Sequence, residues 1–561
     1  MRLRPLLLAL PLTLGALAAP ARDASAFCGF YVGGAGQKLF NHATMVVLMR
    51  DGTRTVLSMQ NNYEGPPEGF AMVIPVPIVL QKENVKTLPR DVFDRIDQLA
   101  APRLVEYWEK DPCGPPEPEM AFAAGAGVPK TASRRSLTAD DLGVKVEAQF
   151  TVGEYEIVIL SAKDSMGLDT WLRRNKYAIP EGAEEVLKPY VAQGMKFFVA
   201  KVDVSKVTMK DRMAMLSPLR FHYDTDTFNL PVRLGMLNSS GTQDLIVHIL
   251  ARDRYEVANH TNVTIPTNLD VDEAARGQFP AMYAALFDLT QEQHRGAAIT
   301  EYAWQATSCD PCPGPPLGNN DFATLGGDAM PSLQTPDDPL SPAPPPVPGV
   351  GPRPGVRMGK GGPRWVGSPA AQFTLTRLHL RYRKDDLADD LVFQAAKPIT
   401  GGREVWKEPG KIEHGSEVAG MNNFQGRYII RHPWRGPIAC AEPHRGRWGG
   451  PPAGESGSSA PKPARDLAFA PRGQVQLASL VRENVPEIGL VSNAVMEPVA
   501  PPPARSAAPP AASASSGPGA GSAGGCACTV GDDPTSGAGW LAGLGALLAG
   551  SRRRRARAGR S

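Results

Sequence analysis

One stretch of seventeen residues constrains this chain more than any other: Asn61-Asn-Tyr-Glu-Gly-Pro-Pro-Glu-Gly-Phe70-Ala-Met-Val-Ile-Pro-Val-Pro77. A turn rich in Gly and Pro feeds an apolar run, Phe70 to Ile74, that reads as a buried strand. Pro75 and Pro77 then each lack the N–H that a central ladder needs, so the strand must stop or reach a sheet edge there. The stretch bears on the fold and discloses no reaction.

The 561 residues, 42% hydrophobic and 21% charged, hold enough material for one large core or two ordinary domains. The formal net charge is +3, and the arginines of the C-terminus supply more than that, so the body is near neutral and nothing points to a nucleic-acid partner. Arg2 and Arg4, the apolar run Leu6 to Ala19 and the small-x-small pattern Ala24-Ser-Ala26 read as a secretory signal peptide cleaved before Phe27. Export implies an oxidising compartment, in which cysteines pair.

Along the chain, Thr44 to Arg50 and Thr53 to Gln60 are apolar and β-branched and flank Asp51-Gly52, which predicts a hairpin. Val92, Ile96 and Leu99 recur at helical spacing, and the pattern runs on past Pro102 to Leu104, Val105 and Trp108, which predicts two short helices or one broken at the proline. Strands are expected at Val144 to Phe150 and Tyr155 to Leu160 around Gly153. Helix is expected between Leu168 and Met195, with Asp169 as a cap, followed by strand from Phe197 to Val204. Asp244 to Leu250 reads as strand and Phe279 to Leu289 as helix. Gln372 to Tyr382 alternates with period 2 and is expected to rejoin the main sheet after a Pro/Gly-rich excursion.

The expected class is therefore α+β, a mixed or mainly antiparallel sheet with interspersed helices and disordered linkers rich in Pro, Ala and Gly. The organisation follows as signal peptide 1–26, α+β domain 27–330, loop 331–369, continuation of the domain 370–448, tether 449–525 and C-terminal signal 526–561.

His222, Asp224 and Asp226 alternate along one expected strand and would present an N,O,O face to a divalent metal. Against this stands a solvated strand face, since one strand rarely completes a coordination shell. Cys309-Asp-Pro-Cys312 reads as a redox pair, half of a zinc site or a structural disulfide. The third is favoured, because Pro313-Gly-Pro-Pro316 forbids the helix that would activate a thiol. Cys28 and Cys113 bracket the first hairpin and helix and are expected to pair, which leaves Cys440 odd. No Gly-Xaa-Ser-Xaa-Gly elbow, His-Glu-Xaa-Xaa-His helix or phosphate-binding Gly-rich loop is present in the sequence, and no cofactor is expected.

Phe27-Cys-Gly-Phe-Tyr31, Asn41-His-Ala-Thr44, the stretch from Asn61 to Pro77, Leu216 to Gly235, Thr264-Ile-Pro-Thr267 and Ser308-Cys-Asp-Pro-Cys-Pro313 together resemble the bacterial domain-of-unknown-function family 2330. That resemblance, which covers most of the chain from Phe27 to about Cys440, implies no activity and no catalytic residues.

Gly525-Cys-Ala-Cys528, the short apolar run Trp540 to Ala549 and Arg552, Arg553, Arg554 and Arg555 have the physics of a stop-transfer. In the same order of parts they resemble the MYXO-CTERM sorting signal of myxobacteria. The resemblance implies cleavage by a membrane protease beside Cys526, lipid on Cys526 or Cys528, and movement to the outer surface. The functional expectation is a cell-surface-anchored binding or structural protein with the membrane and the sorting protease as partners. The alternative is a metal-dependent enzyme or hydrolase built around His222, Asp224 and Asp226.

Overall fold

The computed structural model describes residues 44–114, 144–333 and 369–493 with short gaps, together with the strands Phe30–Val32, Val356–Gly359 and Gly362–Trp365. The signal peptide, Cys28, the Gly/Pro turn 65–70, most of the loop 334–368, and Cys526, Cys528 and Arg552 to Arg555 of the C-terminal signal lie outside the described residues. The chain divides into units 1–504 and 505–561, and every described residue falls in the first.

The hairpin forms as β1 (Thr44–Asp51) and β2 (Arg54–Gln60), with Gly52 at φ +58°, a conformation that glycine adopts without a Cβ penalty. The signature stretch supplies β3 (Ala71–Val76). Phe30–Val32 covers Ala71 to Val73 of it, so among the described residues Pro75 has a neighbour strand on one side, β7 (Lys196–Val202).

Helix α1 (Asp91–Ala100) follows and buries Val92, Phe93, Ile96 and Leu99. The periodicity read through Pro102 fails beyond it: Leu104, Val105 and Trp108 belong to β4 (Arg103–Glu109), a strand that pairs in parallel with residues 427–432. That pairing arrives from more than three hundred residues away, and it overrides a local helical pattern.

The strands β5 (Lys145–Val152) and β6 (Tyr155–Ser161) turn at Gly153 (φ +57°). The helices α2 (Ser165–Arg174) and α3 (Ala183–Ala192) come next, then β7 (Lys196–Val202). The α2 cap is Asp164, whose carboxylate accepts from the Gly167 amide at 2.6 Å. Asp169 instead pairs with Arg173 one turn on, so the expected cap is corrected by five residues. Strands β8 (Leu219–Asp224) and β9 (Gln243–Ala251) lead to α4 (Phe279–Gln293) and β10 (Ala298–Gln305). The short α5 (Asn319–Leu325), β11 (Thr374–Tyr382) and β12 (Arg427–His432) complete the labelled elements.

The main sheet runs in the order β10, β11, β9, β1, β2, β8 and Val85–Thr87, with Asn423–Gln425 and shorter strands beyond β10. All of its long pairings are antiparallel except β9 with β1. The excursion after residue 333 therefore does return, and β11 lies between β10 and β9. A second, antiparallel sheet runs Phe30–Val32, β3, β7, β6, β5.

Period-2 alternation sorts the residues into four layers. Val46, Leu48, Phe221, Val247, Ile249, Leu378 and Leu380 of the main sheet meet Met72, Ile74, Ile157, Ile159 and Phe198 of the second sheet in one core. The opposite face of the second sheet packs on α2 and α3 through Val73, Leu160, Leu168, Leu187 and Val199. The opposite face of the main sheet carries α1 and α5 over one end and α4 over the other. The order is helix, sheet, sheet, helix, an α+β architecture.

The tether expected from residue 449 is corrected in its first part. Ala464, Leu467, Leu477, Leu480, Val481, Val485, Ile488 and Leu490 are buried against α4, where their apolar side chains complete a core that residues before 449 leave open.

Candidate functional site

On β8, Leu219, Phe221 and Tyr223 enter the sandwich core, which sends Arg220, His222 and Asp224 to the helical side. There Asp224 receives both Nε and Nη2 of Arg54 at 2.9 Å. Arg220 donates to the carbonyls of Ala323 and Thr324 and to Asp328, which also takes Lys86 at 2.7 Å. The His222 Nε2 lies 3.1 Å from the Asn84 amide nitrogen, so it accepts. Burial, with the nearby Arg54 and Arg220 charges, holds its pKa below the usual histidine value.

The strand ends at Asp224, and Asp226 offers its backbone carbonyl to Arg50 at 3.2 Å. The N,O,O face expected of His222, Asp224 and Asp226 is therefore not assembled. Among the described residues no group of three His, Cys, Asp or Glu side chains stands close enough to hold a metal ion.

A dense gathering of buried titratable groups lies elsewhere on the same face, in the seam between α1 and α4. Adjacent strands place Asp244 beside Arg381, Ile246 beside His379 and His248 beside Arg377. The β10 pairing slips between Thr300 and Tyr302, and the bulge adds Glu301 to the group. The fully buried Glu301 carboxylate accepts from Arg377 Nε at 2.5 Å, from His379 Nδ1 at 2.8 Å and from the Tyr283 hydroxyl of α4 at 2.5 Å.

Arg377 also bonds Asp97 of α1, and His379 Nε2 lies 3.2 Å from Asp244. Arg381 grips both oxygens of Asp244 and reaches Asp288 of α4. The Phe287 ring stacks on the His379 imidazole with centroids 3.7 Å apart.

The electrostatics follow from this geometry. Burial alone would push Glu301 up, but His379 and Arg377 bring it down to about 2. Burial likewise opposes a charged His379, yet Glu301 and Asp244 on its two nitrogens raise its pKa above the ordinary value. His248, buried beside Arg377, is driven well below it. Asp288 is raised by burial against the pull of Arg381. Each strong charge of the seam thus meets an opposite one, and the arrangement joins two helices to three strands.

A third cluster joins β4 to the loops around it. Arg103 is fully buried and donates to the carbonyls of Leu99 and Pro311 at 2.7 Å, with its guanidinium over the Tyr302 ring; burial lowers its pKa to about 10. It ties the end of α1 to the loop of Cys309 and Cys312, which are bonded to each other with S–S 1.97 Å.

Cys113 is bonded to Cys440 across 327 residues, S–S 2.19 Å. The pairing expected of Cys28 with Cys113 is thereby corrected, and Cys440 is not the odd cysteine. The reason is the parallel pair β4 and β12, whose two chains leave the sheet at the same end, one toward Cys113 and the other toward Cys440. Between them the buried Glu109 accepts from the backbone amides of Trp434 (2.9 Å) and Gly446 (2.8 Å) and from the Arg445 side chain, closing the neck of the loop that carries Cys440.

Sequence reasoning missed Glu301, Arg377, His379, Asp244, Asp97 and Asp288. The usable signal was the spacing Arg377-x-His379-x-Arg381 set against Asp244-x-x-x-His248 on two apolar strands.

A family model described as an uncharacterized protein conserved in bacteria, DUF2330, matches residues 22–394. No curated protein and no solved structure matches the chain.

Proposed function

We propose, from the premise that the chain belongs to the DUF2330 family of bacterial proteins, that it is an exported, cell-surface-anchored protein with a binding or structural role. The observation that carries the reading is the Cys113–Cys440 disulfide, joined by Cys309–Cys312. Bonds of this kind persist in oxidising compartments and are rare in the bacterial cytosol. The signal-peptide pattern of Met1 to Ala26 supports the same reading, as do the cysteines, apolar run and arginines after Gly525.

Among the described residues no helix is long and apolar enough to cross a membrane. One acyl chain binds a membrane only marginally, and a cysteine bearing a diacylglyceryl group would supply two. The binding or structural role, rather than catalysis, is supported by the seam. Glu301, His379 and Arg377 are buried beneath α1 and α4, bonded to one another and to Tyr283, Asp97 and Asp244.

Fractionation of cells followed by mass spectrometry of the mature C-terminus tests the reading. The expected product sits in the outer-surface fraction, ends near Cys526 and carries lipid there. A surface form whose peptides read through Cys528 into Trp540, or a purely cytosolic form with reduced cysteines, would overturn it.

A further inference from the structure

We propose that the Cys113–Cys440 disulfide is a mechanical stop that keeps load arriving from the C-terminal side out of the body of the domain. The inference rests on the surface-anchored reading, in which the attachment lies beyond residue 493 and any pull on the domain enters there.

The chain beyond the family-matched stretch is built into the fold. Strand β12 lies parallel along one edge of β4, while Trp448–Gly449 and Lys462–Pro463 pair with the other edge. Residues 475–493 then pass over α4 and meet residues 270–272. The Arg482 amide donates to the Asp270 carbonyl and the Asp272 amide to the Leu480 carbonyl, both near 2.8 Å. The Glu483 carboxylate takes the Asp270 amide and lies 3.0 Å from His414 Nε2.

These attachments are short. Two strands of two residues, the bridge Val271–Val481, these hydrogen bonds and the buried apolar side chains between Ala464 and Leu490 hold the chain after Cys440. A force applied at residue 493 loads them from the C-terminal end backward, first the segment packed on α4 and then the two short strands. Unchecked, the same peeling would reach the loop neck at Glu109 and then β12, whose Tyr428 and Ile430 are core residues. Extraction of that strand would open the core beneath α4.

The disulfide intervenes between the two. Cys440 lies eight residues after His432, and Cys113 lies four after Glu109, so the bond joins the exits of the two parallel strands. Load that has run back to Cys440 passes through sulfur into the end of β4, and β12 drops out of the force path. The releasable chain is the 53 residues from 441 to 493, about 185 Å at roughly 3.5 Å per extended residue.

Single-molecule pulling of the full chain between its two ends tests this. The oxidised protein is expected to give a first extension of no more than about 185 Å, followed by a distinct second event. In C113A/C440A the first event should run on through β12 and merge with opening of the domain. Should C113A/C440A not fold, oxidised C309A/C312A, which among the described residues keeps only the Cys113–Cys440 bond, can be pulled before and after a dithiol is added, with the same contrast expected. Equal first extensions with and without the bond, or an oxidised protein whose first event already exceeds that length, would overturn the proposal. A chain that shows the stop but carries no surface anchor would instead refute only the localisation.

Discussion

Glu301 is where the folded state depends most on a single charge, and its replacement by glutamine gives a sharp test. The substitution keeps the shape of the side chain and removes the negative charge that faces Arg377 and His379. A carboxylate held at about 2 instead of its ordinary value of 4.5 has its ionised form favoured by on the order of 3 kcal/mol. Breaking a buried pair from one side typically costs about 3–5 kcal/mol, because the remaining charge is left without compensation.

E301Q is therefore expected to lose about 3–5 kcal/mol at pH 7. The glutamine amide would also set donors against the donors of Arg377 or His379. The pH dependence is equally specific. A depressed carboxylate contributes stability that is present above its unfolded value, near 4.5, and is lost as pH falls toward about 2. Denaturant unfolding followed by circular dichroism at pH 7, 5 and 3 should show that acid-side loss in the wild type, and much less of it in E301Q. A variant within about 1 kcal/mol of the wild type, with an unchanged slope between pH 5 and 3, would refute the claim that the seam's charges hold the helical layer.

His379 carries the opposite sign: with its pKa raised, its contribution is complete below the unfolded value near 6.5 and disappears as pH rises through the folded value, so H379Q should flatten the alkaline side of the stability profile. Removing the 327-residue cross-link in C113A/C440A should cost up to about 5 kcal/mol of chain entropy, and removing the four-residue ring in C309A/C312A about 2, a ranking that paired denaturant midpoints will check. G402A should destabilise by more than about 2 kcal/mol, since at φ +73° its new Cβ would stand 2.1 Å from the Gln425 carbonyl oxygen; a thermal melt close to that of wild type would contradict it.

Local structure was legible where sequence neighbours decide it. The hairpin at Asp51-Gly52, the buried strand read before Pro75, and the return of β11 to the main sheet follow from periodicity and turn chemistry, although Pro75 and Val76 still pair with Phe197 and Lys196 of β7. Leu104 to Trp108 was misread because helical spacing within seven residues is weak beside a parallel partner supplied by Arg427–His432. The disulfide pairing failed for the same reason, since only that strand pair brings Cys440 to Cys113.

The seam was hidden by a sound rule applied to the wrong surface. The alternation of Arg377, His379 and Arg381 with leucines suggests one face in water, but α1 and α4 cover that face and supply Asp97, Tyr283 and Asp288. Glu301 was beyond reach, because the bulge that groups it with Arg377 and His379 depends on the registers of two strands at once. The expectation of a tether after residue 449 likewise gave too little weight to a few spaced apolar residues, Leu477 to Leu490, that find a surface to bury against.

The side-by-side placement of β4 and β12 also imposes a timetable. Residue 103 leaves the ribosome more than three hundred residues before residue 427, and at roughly 5–20 residues per second that interval is on the order of 20–60 s. Throughout it, Leu104 and Val105 have a pairing edge and no partner, and the loop that must eventually close over them carries the large entropy of a distant contact. Early chain segments must therefore wait in an aggregation-prone state for late ones. The delay follows from the pairing of these two strands and would be the same however few residues the rest of the protein had beyond them.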